Sequence, residues 1–366
     1  MSTTPRKLAI STGGGDCPGL NAVIRAVVLR AHGLGIEVLG VEDGLNGLLS
    51  GTGCTVRPLA PADVSGLLPR GGTILGTTNR SSPFAFRDPD GTVRDRGDEV
   101  LARARELGVD LLINVGGDGS QAISLELLRR GLPVIGVPKT IDNDLDATVE
   151  TFGFGTAVQV VTDALDRLRT TAESHDRIML LEVMGRHAGW IALHSGIAGG
   201  ADVILIPELP YDPAHVARDL RRVLGGGRHF ALIVVAEGVA PRGGELSHRT
   251  VAAGRHGQAQ ILGGAGQVAA EQIAPLLPDM ELRVTTLGHI QRGGTPTAYD
   301  RLLASRIGVE AVEAAVRGER GVLVSSQPPN ITTVPLELAV QKTRSVDPAG
   351  QLVRHARGLG VSFGDV

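Results

Sequence analysis

Short apolar runs alternate along the chain with segments whose apolar residues recur every three or four positions. Runs at 8–11 and 38–41 read as strands, separated by a helix over 20–34. A helix over 99–107, a strand at 111–115, a helix over 122–129 and a strand at 134–137 continue the series. The spacing then predicts a long helix over 159–171. Strands follow at 178–183, 203–206 and 229–236 with helices between them, before an extended stretch at 282–286. This alternation argues for an α/β fold with mainly parallel sheets flanked by helices. Right-handed crossovers in such sheets put most functional loops at the carboxyl ends of the strands.

No repeat of fixed period interrupts the series. Residues 87–97 are charged and turn-rich around Asp88-Pro89-Asp90-Gly91, and predict an exposed hairpin or loop. From about residue 345 the pattern weakens, and a peripheral tail is expected. A length of 366 residues points to about two domains, with the boundary best placed at 139–155.

Composition removes several function classes. The formal charge of -3 gives no sign of a polyanion or membrane surface as partner. Aromatic residues make up 2% of the chain, so the core is built from Ala, Val, Ile and Leu, and a stacking platform for single-stranded nucleic acid is not expected. Cys17 and Cys54 are too few for a disulfide framework or a cysteine zinc site, and read as reduced thiols of a cytoplasmic protein. No apolar signal core opens the sequence, and no apolar run approaches the roughly 20 residues of a membrane span. Lys7, Lys139 and Lys342 are the only lysines, so a lysine inside a motif carries weight.

Three glycine clusters adjoin expected strands: Gly13-Gly14-Gly15-Asp16-Cys17-Pro18-Gly19, Gly71-Gly72-Thr73 and Gly116-Gly117-Asp118-Gly119-Ser120. Glycine lets the backbone approach a phosphate, and a following helix N-terminus points N–H groups at the anion. Two strand–glycine loop–helix units suggest a nucleotide-sized phosphate site. Gly117, Gly119 and Ala122 also match a dinucleotide fingerprint, but Asp118 would repel a bare pyrophosphate unless a divalent cation lay between them. Asp118 could equally cap the helix. No Walker A sequence is present, so an ATP site here is not a P-loop.

Pro138-Lys139-Thr140-Ile141-Asp142-Asn143-Asp144 follows an apolar strand and packs a hydroxyl, an amide, two carboxylates and a rare lysine into one loop. Phosphoryl transfer to an alcohol needs a base, a metal to offset charge, and donors for the equatorial oxygens. An Asx-rich turn would have the same composition. Beside the glycine loops, the catalytic reading prevails. Met184-Gly185-Arg186-His187-Ala188-Gly189 and Leu287-Gly288-His289-Ile290-Gln291-Arg292-Gly293-Gly294 each place an arginine just past an extended segment. Arg177 and Arg283 begin two of the strands. Arginine clamps phosphate bidentately. Taken singly, each of these arginines is as well explained as a solvated surface residue, and His289 as a structural histidine.

Taken in order, these residues resemble the 6-phosphofructokinase family, from about residue 7 to about 318. The resemblance rests on Gly14-Gly15-Asp16-Cys17-Pro18-Gly19-Leu20-Asn21, residues 116–120 and 140–144, Met184-Gly185-Arg186, Ala236-Glu237-Gly238 and residues 288–294. It implies transfer of a phosphoryl group from ATP-Mg to the 1-hydroxyl of fructose 6-phosphate in glycolysis. It also implies two Rossmann-like domains with the active site in the cleft between them. Residues 1–145 would bind nucleotide, with part of the C-terminal region packing back on them. Residues 146–320 would bind sugar phosphate, and 321–366 would form a C-terminal segment and tail.

By the same resemblance, Gly15, Gly117, Gly119 and Ser120 would hold the nucleotide phosphates, with Asp118 on Mg²⁺ and Arg80 against the nucleotide. Asp142 would take the proton of the acceptor hydroxyl. Thr140 and Arg186 would stabilise the moving phosphoryl group, with Asp144 supporting the site. Ile141, Met184, Gly185, Glu237, His289 and Arg292 would join them in binding the sugar phosphate. Arg177 and Arg283 would reach it from a neighbouring subunit, which implies a homo-oligomer, typically a tetramer, with shared active sites. The donor signature is mixed: Gly119 is typical of ATP users, and Lys139 of pyrophosphate users. An aspartate at 119 would occupy the place of the α-phosphate, so Gly119 favours ATP. The alternatives are a pyrophosphate-dependent enzyme, an NAD or lipid kinase, a non-catalytic regulatory subunit and an NAD-dependent oxidoreductase.

Overall fold

The computed structural model describes residues 4–79, 82–88, 90–252 and 258–366. The chain begins with β1 (Lys7–Thr12), α1 (Leu20–Gly33), β2 (Glu37–Val41), β3 (Val56–Pro58), β4 (Phe86–Arg87), β5 (Val93–Arg94), α2 (Gly97–Glu106), β6 (Leu111–Gly116), α3 (Asp118–Arg129), β7 (Val134–Thr140) and β8 (Phe152–Gly153). It continues through α4 (Phe154–Ser174), β9 (Arg177–Val183), α5 (Trp190–Ala198), β10 (Val203–Leu205), α6 (Pro213–Gly225), β11 (Ala231–Ala236), β12 (His248–Ala252), β13 (Gln258–Leu262), α7 (Ala265–Ile273) and β14 (Glu281–Thr286). It closes with α8 (Ala298–Val316), β15 (Val322–Gln327), β16 (Asn330–Pro335) and α9 (Gln351–Gly358). Two compact units result. One comprises Met1–Ile141, Leu145–Gly155 and Arg292–Thr343, and the other Asp142–Asp144, Thr156–Gln291 and Arg344–Val366.

The first unit carries a sheet in the order β16-β15-β7-β6-β1-β2-β3, with β8 beside β7. Strands β15, β7, β6, β1 and β2 run parallel, and β3 and β16 are antiparallel edges. From β1 the chain crosses to β2 on one side, then returns to β6 on the other. The switch point of this doubly wound sheet therefore lies between β1 and β6, where such folds bind ligands. Both strands are buried apart from half-buried Lys7, as expected when helices cover both faces. One face packs Ala9, Leu112 and Val134 against Val100, Leu101 and Ala104 of α2 and Leu127 of α3. Burying each Leu or Val side chain contributes about 1.5–3 kcal/mol. Elsewhere in the unit, α8 lies along α1 and approaches closely at Gly308, where a Cβ would sit 2.8 Å from the Ala26 Cβ.

The second unit has an all-parallel sheet in the order β10-β11-β9-β14. β9 comes first, β10 and β11 lie to one side of it, and β14 lies to the other. Its switch point falls between β9 and β14. One face packs Ile178, Leu180, Leu205 and Ile233 against Leu220 of α6 and Ala269 and Ile273 of α7. The other packs Met179 and Leu232 against Ala172 of α4.

Three differences from the sequence pattern have physical causes. β7 continues to Thr140, because Pro138 pairs with Gly116 and Lys139 and Thr140 pair with Phe152 and Gly153. These polar residues hide the strand's end from a hydrophobic reading. α3 starts at Asp118, inside the glycine loop. The expected peripheral tail is instead part of the second unit. Ser362 bridges Val203, Phe363 is fully buried, and Arg357 lies over its ring, 5.1 Å from the centroid. The segment holds few apolar residues, and Leu359 and Val366 among them are exposed, so its hydrophobic signal is weak. Residues 87–97 do form a hairpin, with β4 and β5 antiparallel. Among the described residues, no helix is long and apolar enough to cross a membrane.

Candidate active site

The glycine loops lie at the two strand ends that flank the first switch point. The N–H of Gly13 donates to the carbonyl of Val115 at 2.9 Å, which ties the β1 loop to β6. Ser120 lies against this junction. A Cβ on Gly13 would meet its Oγ at 2.7 Å, and a Cβ on Gly116 would meet its Cβ at 2.2 Å. Glycine is thus required where the two loops approach Ser120. α3 is entered through Gly117, with φ −82° and ψ −165°, and no side chain caps it. Asp118 therefore does not act as the cap; it heads the first turn and is exposed. An uncapped helix N-terminus at a switch point suits a phosphate. At Gly119 a Cβ would meet nothing within 4 Å.

No group of three or more His, Cys, Asp or Glu side chains that could hold a metal occurs among the described residues. An exposed carboxylate such as Asp118 fits Mg²⁺ that arrives with phosphate oxygens, since this ion commonly takes one or two protein carboxylates and completes its shell with phosphate and water.

The carboxylate loop divides between the units. Thr140 and Ile141 belong to the first, and Asp142, Asn143 and Asp144 to the second. In the first, Lys139 is 3% exposed and its ammonium donates to the Gly15 carbonyl, while the Thr140 carbonyl accepts from Thr151 Oγ1 at 2.7 Å. Ile141 is fully buried. In the second, Asp142 is buried and Asp144 half-buried. Asn143 takes a left-handed backbone, φ 53°, which asparagine tolerates better than most residues. Cys17, within the first glycine loop, is fully buried, with its thiol donating to the Phe152 carbonyl at 3.6 Å. Burial pushes this thiol up to about 12, partly opposed by Lys139, so it is no nucleophile at neutral pH.

The acceptor candidates flank the second switch point. β9 ends at Val183 and β14 at Thr286. Fully buried Gln291 ties the loops that follow: its Oε1 accepts from the Met184 N–H at 3.3 Å, and its Nε2 donates to the Gly288 carbonyl at 3.0 Å. Glu237 Oε1 accepts from the Arg186 N–H at 3.0 Å, and Arg186 adopts φ 53°. Gly238 has no room for a side chain, since a Cβ would lie 1.9 Å from the Arg186 carbonyl oxygen. Met184 and Gly185 are buried, whereas Arg186 and His289 are exposed at the strand ends. Arg292 opens the last segment of the first unit, where its Nη1 donates to the Asp16 carbonyl at 3.3 Å.

Arg177 stands at the opposite end of the β9–β14 pair, and Arg283 lies within β14 beside Met179. Arg177 pairs with Glu281 at 2.5 Å, and Arg283 also bonds the same carboxylate. The two guanidinium groups, Arg177 foremost, hold the Glu281 carboxyl below its ordinary range. β9 has 7 residues, so at about 3.3 Å per residue Arg177 starts roughly 20 Å before the Met184 loop. Arg80 lies outside the described residues. The residues that sequence reasoning left without a role are Gln291, Trp190, Glu208 and Arg344; each acts through partners distant in the chain, which leaves no local signal.

Two mainly parallel sheets, with glycine-rich strand–helix turns at one switch point and arginine-bearing loops at the other, define a phosphate-handling α/β enzyme. The family model described as phosphofructokinase matches residues 7–315. The ATP-dependent 6-phosphofructokinase of Chloroflexus aurantiacus is 53% identical over 365 residues, covering 100% of this chain and 99% of that relative. ATP-dependent 6-phosphofructokinase 1 of Synechocystis is 46% identical over 362 residues, covering 98% and 99%. The structure of phosphofructokinase from Saccharomyces cerevisiae superposes with a TM-score of 0.75 at 32% identity, covering 92% of this chain and 45% of the yeast chain. The chain belongs to the phosphofructokinase family.

Proposed function

We propose that this protein is an ATP-dependent 6-phosphofructokinase, transferring the γ-phosphoryl group of ATP to the 1-hydroxyl of fructose 6-phosphate. The products are fructose 1,6-bisphosphate and ADP, as in glycolysis. The observation that carries the donor choice is the open space at Gly119, where a Cβ would meet nothing within 4 Å. An α-phosphate can pass there, whereas an aspartate would fill the place with charge. The engagement of Lys139 by the Gly15 carbonyl supports the same choice.

In this reading the Gly13–Gly15 turn and the uncapped start of α3 hold the triphosphate through backbone N–H groups. Asp118 would hold Mg²⁺ together with phosphate oxygens, and the ion would supply charge to offset that of the donor. Met184, Glu237, His289 and Arg292 seat the sugar phosphate. Asp142 accepts the proton of the 1-hydroxyl as its oxygen bonds to the γ-phosphorus and the bond to the β,γ-bridging oxygen breaks. Thr140 and Arg186 donate to the equatorial oxygens, and Asp144 supports the loop. Residues 1–145 carry the nucleotide functions and 146–320 most of the sugar-phosphate functions.

Arg177 lies a full strand, and Arg283 about half a strand, from the loops of their own chain that bind the sugar phosphate. We therefore assign them to the sugar phosphate of a neighbouring copy in a homotetramer. The cytoplasm is the compartment that suits a glycolytic enzyme.

The test is steady-state phosphorylation of fructose 6-phosphate with ATP-Mg and with pyrophosphate as parallel donors. ATP is expected to support turnover and pyrophosphate is not. Preference for pyrophosphate would replace this reading with the pyrophosphate-dependent one.

A further inference from the structure

We propose that Arg344 is a positioning residue for the Asp142 loop, clamped in place by Trp190. The inference rests on the assignment of Asp142 as base. The Arg344 N–H donates to the Asp144 carbonyl at 2.8 Å, and its Nη1 donates to the Asn143 carbonyl at 3.3 Å. Two successive carbonyls of the loop are thus held by one residue. They belong to Asn143 and the residue after it, and the left-handed backbone of Asn143 needs such support to persist.

Arg344 is itself fixed from several directions. Its guanidinium lies over the Trp190 ring, 4.4 Å from the centroid, and Trp190 Nε1 donates to the Arg344 carbonyl at 3.0 Å. Two residues on, the Val346 N–H donates to Glu208 Oε1 at 2.8 Å, and the same carboxylate accepts from the Gly189 N–H at 3.0 Å. Gly189 caps α5 and Trp190 opens it. The ring that holds Arg344 and the main chain that carries it are therefore joined through Glu208. A planar cation over an aromatic face is favourable by about 0.5–2 kcal/mol, and lysine cannot reproduce both the stack and the second donor. All these residues belong to the second unit, as do Asp142, Asn143 and Asp144.

Because these contacts hold the loop's backbone, loss of the Arg344 side chain should act on kcat through the placement of Asp142. A misplacement of about 1 Å can cost about 10²-fold in rate. Arg344→Ala should lower kcat by about 10²-fold and leave KM for fructose 6-phosphate nearly unchanged. Millimolar guanidinium should restore part of the loss. Trp190 is the only tryptophan, so its emission and its quenching by acrylamide report the loss of the stack directly. Trp190→Phe keeps the ring but removes the indole N–H, and should lower kcat about fivefold, the worth of one ordinary hydrogen bond. If Arg344→Ala does not fold, Arg344→Lys is measured instead, with a kcat loss in the same sense.

The decisive comparison is Asp142→Asn with and without Arg344→Ala. If Arg344 works through Asp142, the double variant is no slower than Asp142→Asn alone. Multiplying losses, or an unchanged kcat in folded Arg344→Ala while Asp142→Asn is impaired, overturns the positioning role only. Full turnover in Asp142→Asn overturns the base assignment, and with it the positioning of Asp142.

Discussion

The Lys139 ammonium, near the end of β7, donates to the carbonyl of Gly15 in the loop that follows β1. The residue that would mark a pyrophosphate user is thereby bound into the first glycine loop, and it braces the loop that ATP is proposed to occupy. In the proposed reading, Gly119 at the start of α3 selects the donor.

Gly119→Asp tests this directly. Nothing within 4 Å obstructs a Cβ there, and an acidic residue in the first turn favours the helix dipole, so Tm should not fall. A carboxylate about 4 Å from the α-phosphate would repel it by roughly 4 kcal/mol at an effective dielectric of about 20, before screening. Even a quarter of that lowers kcat/KM for ATP about fivefold. Measured against both donors, ATP use that is untouched by the substitution would remove Gly119 as the selector.

Asp142→Asn should leave fructose 6-phosphate binding roughly intact and cut kcat by about 10²–10⁴-fold, the usual share of a general base. A loss smaller than about tenfold, well below that range, would give the proton to another acceptor. Thr140→Ala should also lower kcat more than it raises KM, because its hydroxyl is assigned to the transition state.

Much of this chemistry is legible as contiguous strings, because each loop is one short stretch after one strand. The strands β1, β6, β9 and β11 are equally legible: buried along both faces, they carry unbroken apolar runs such as Leu111-Leu112-Ile113 and Leu232-Ile233-Val234-Val235. Other features are spatial and leave no such trace. Gln291 meets Met184 across 107 residues, and Trp190 meets the Arg344 carbonyl across 154. β16 alternates exposed and half-buried positions at a sheet edge, so Asn330-Ile331-Thr332-Thr333 offers little hydrophobic signal. Phe363 sits in a segment too short to show a period, yet it is fully buried.

Arg177→Ala and Arg283→Ala should chiefly raise KM for fructose 6-phosphate, with little effect on ATP. If each serves a partner's site, mixing the Asp142→Asn and Arg283→Ala proteins should regenerate some intact sites in hybrid oligomers. Subunit exchange is followed by native mass spectrometry. Exchange without any recovered activity would confine both arginines to their own chain.

Cys17 gives a pH signature. Its thiol is pushed from 9.0 to about 12 by burial, so in alkaline solution the unfolded chain ionises while the native one stays protonated. The unfolded state then binds fewer protons, and stability falls as pH rises from about 9 toward 12, by up to about 1.4 kcal/mol per pH unit. Below about 9 this contribution is fully present. Cys17→Ala should lower Tm at neutral pH but flatten its alkaline decline. Parallel Tm curves for the two proteins would show that the thiol does not titrate differently on folding.

The interleaving of the units governs how the protein can be made. The first unit is complete only when residues up to Thr343 have been added, and the second only with Arg344–Val366. At about 5–20 residues per second a ribosome takes roughly 20–70 s to deliver the chain. For most of that time α1 waits without α8, and β7 without β15. Neither unit can close behind the ribosome while the other is translated. Fragments that end near residue 145 should accordingly emerge as chaperone clients rather than as autonomous nucleotide-binding modules.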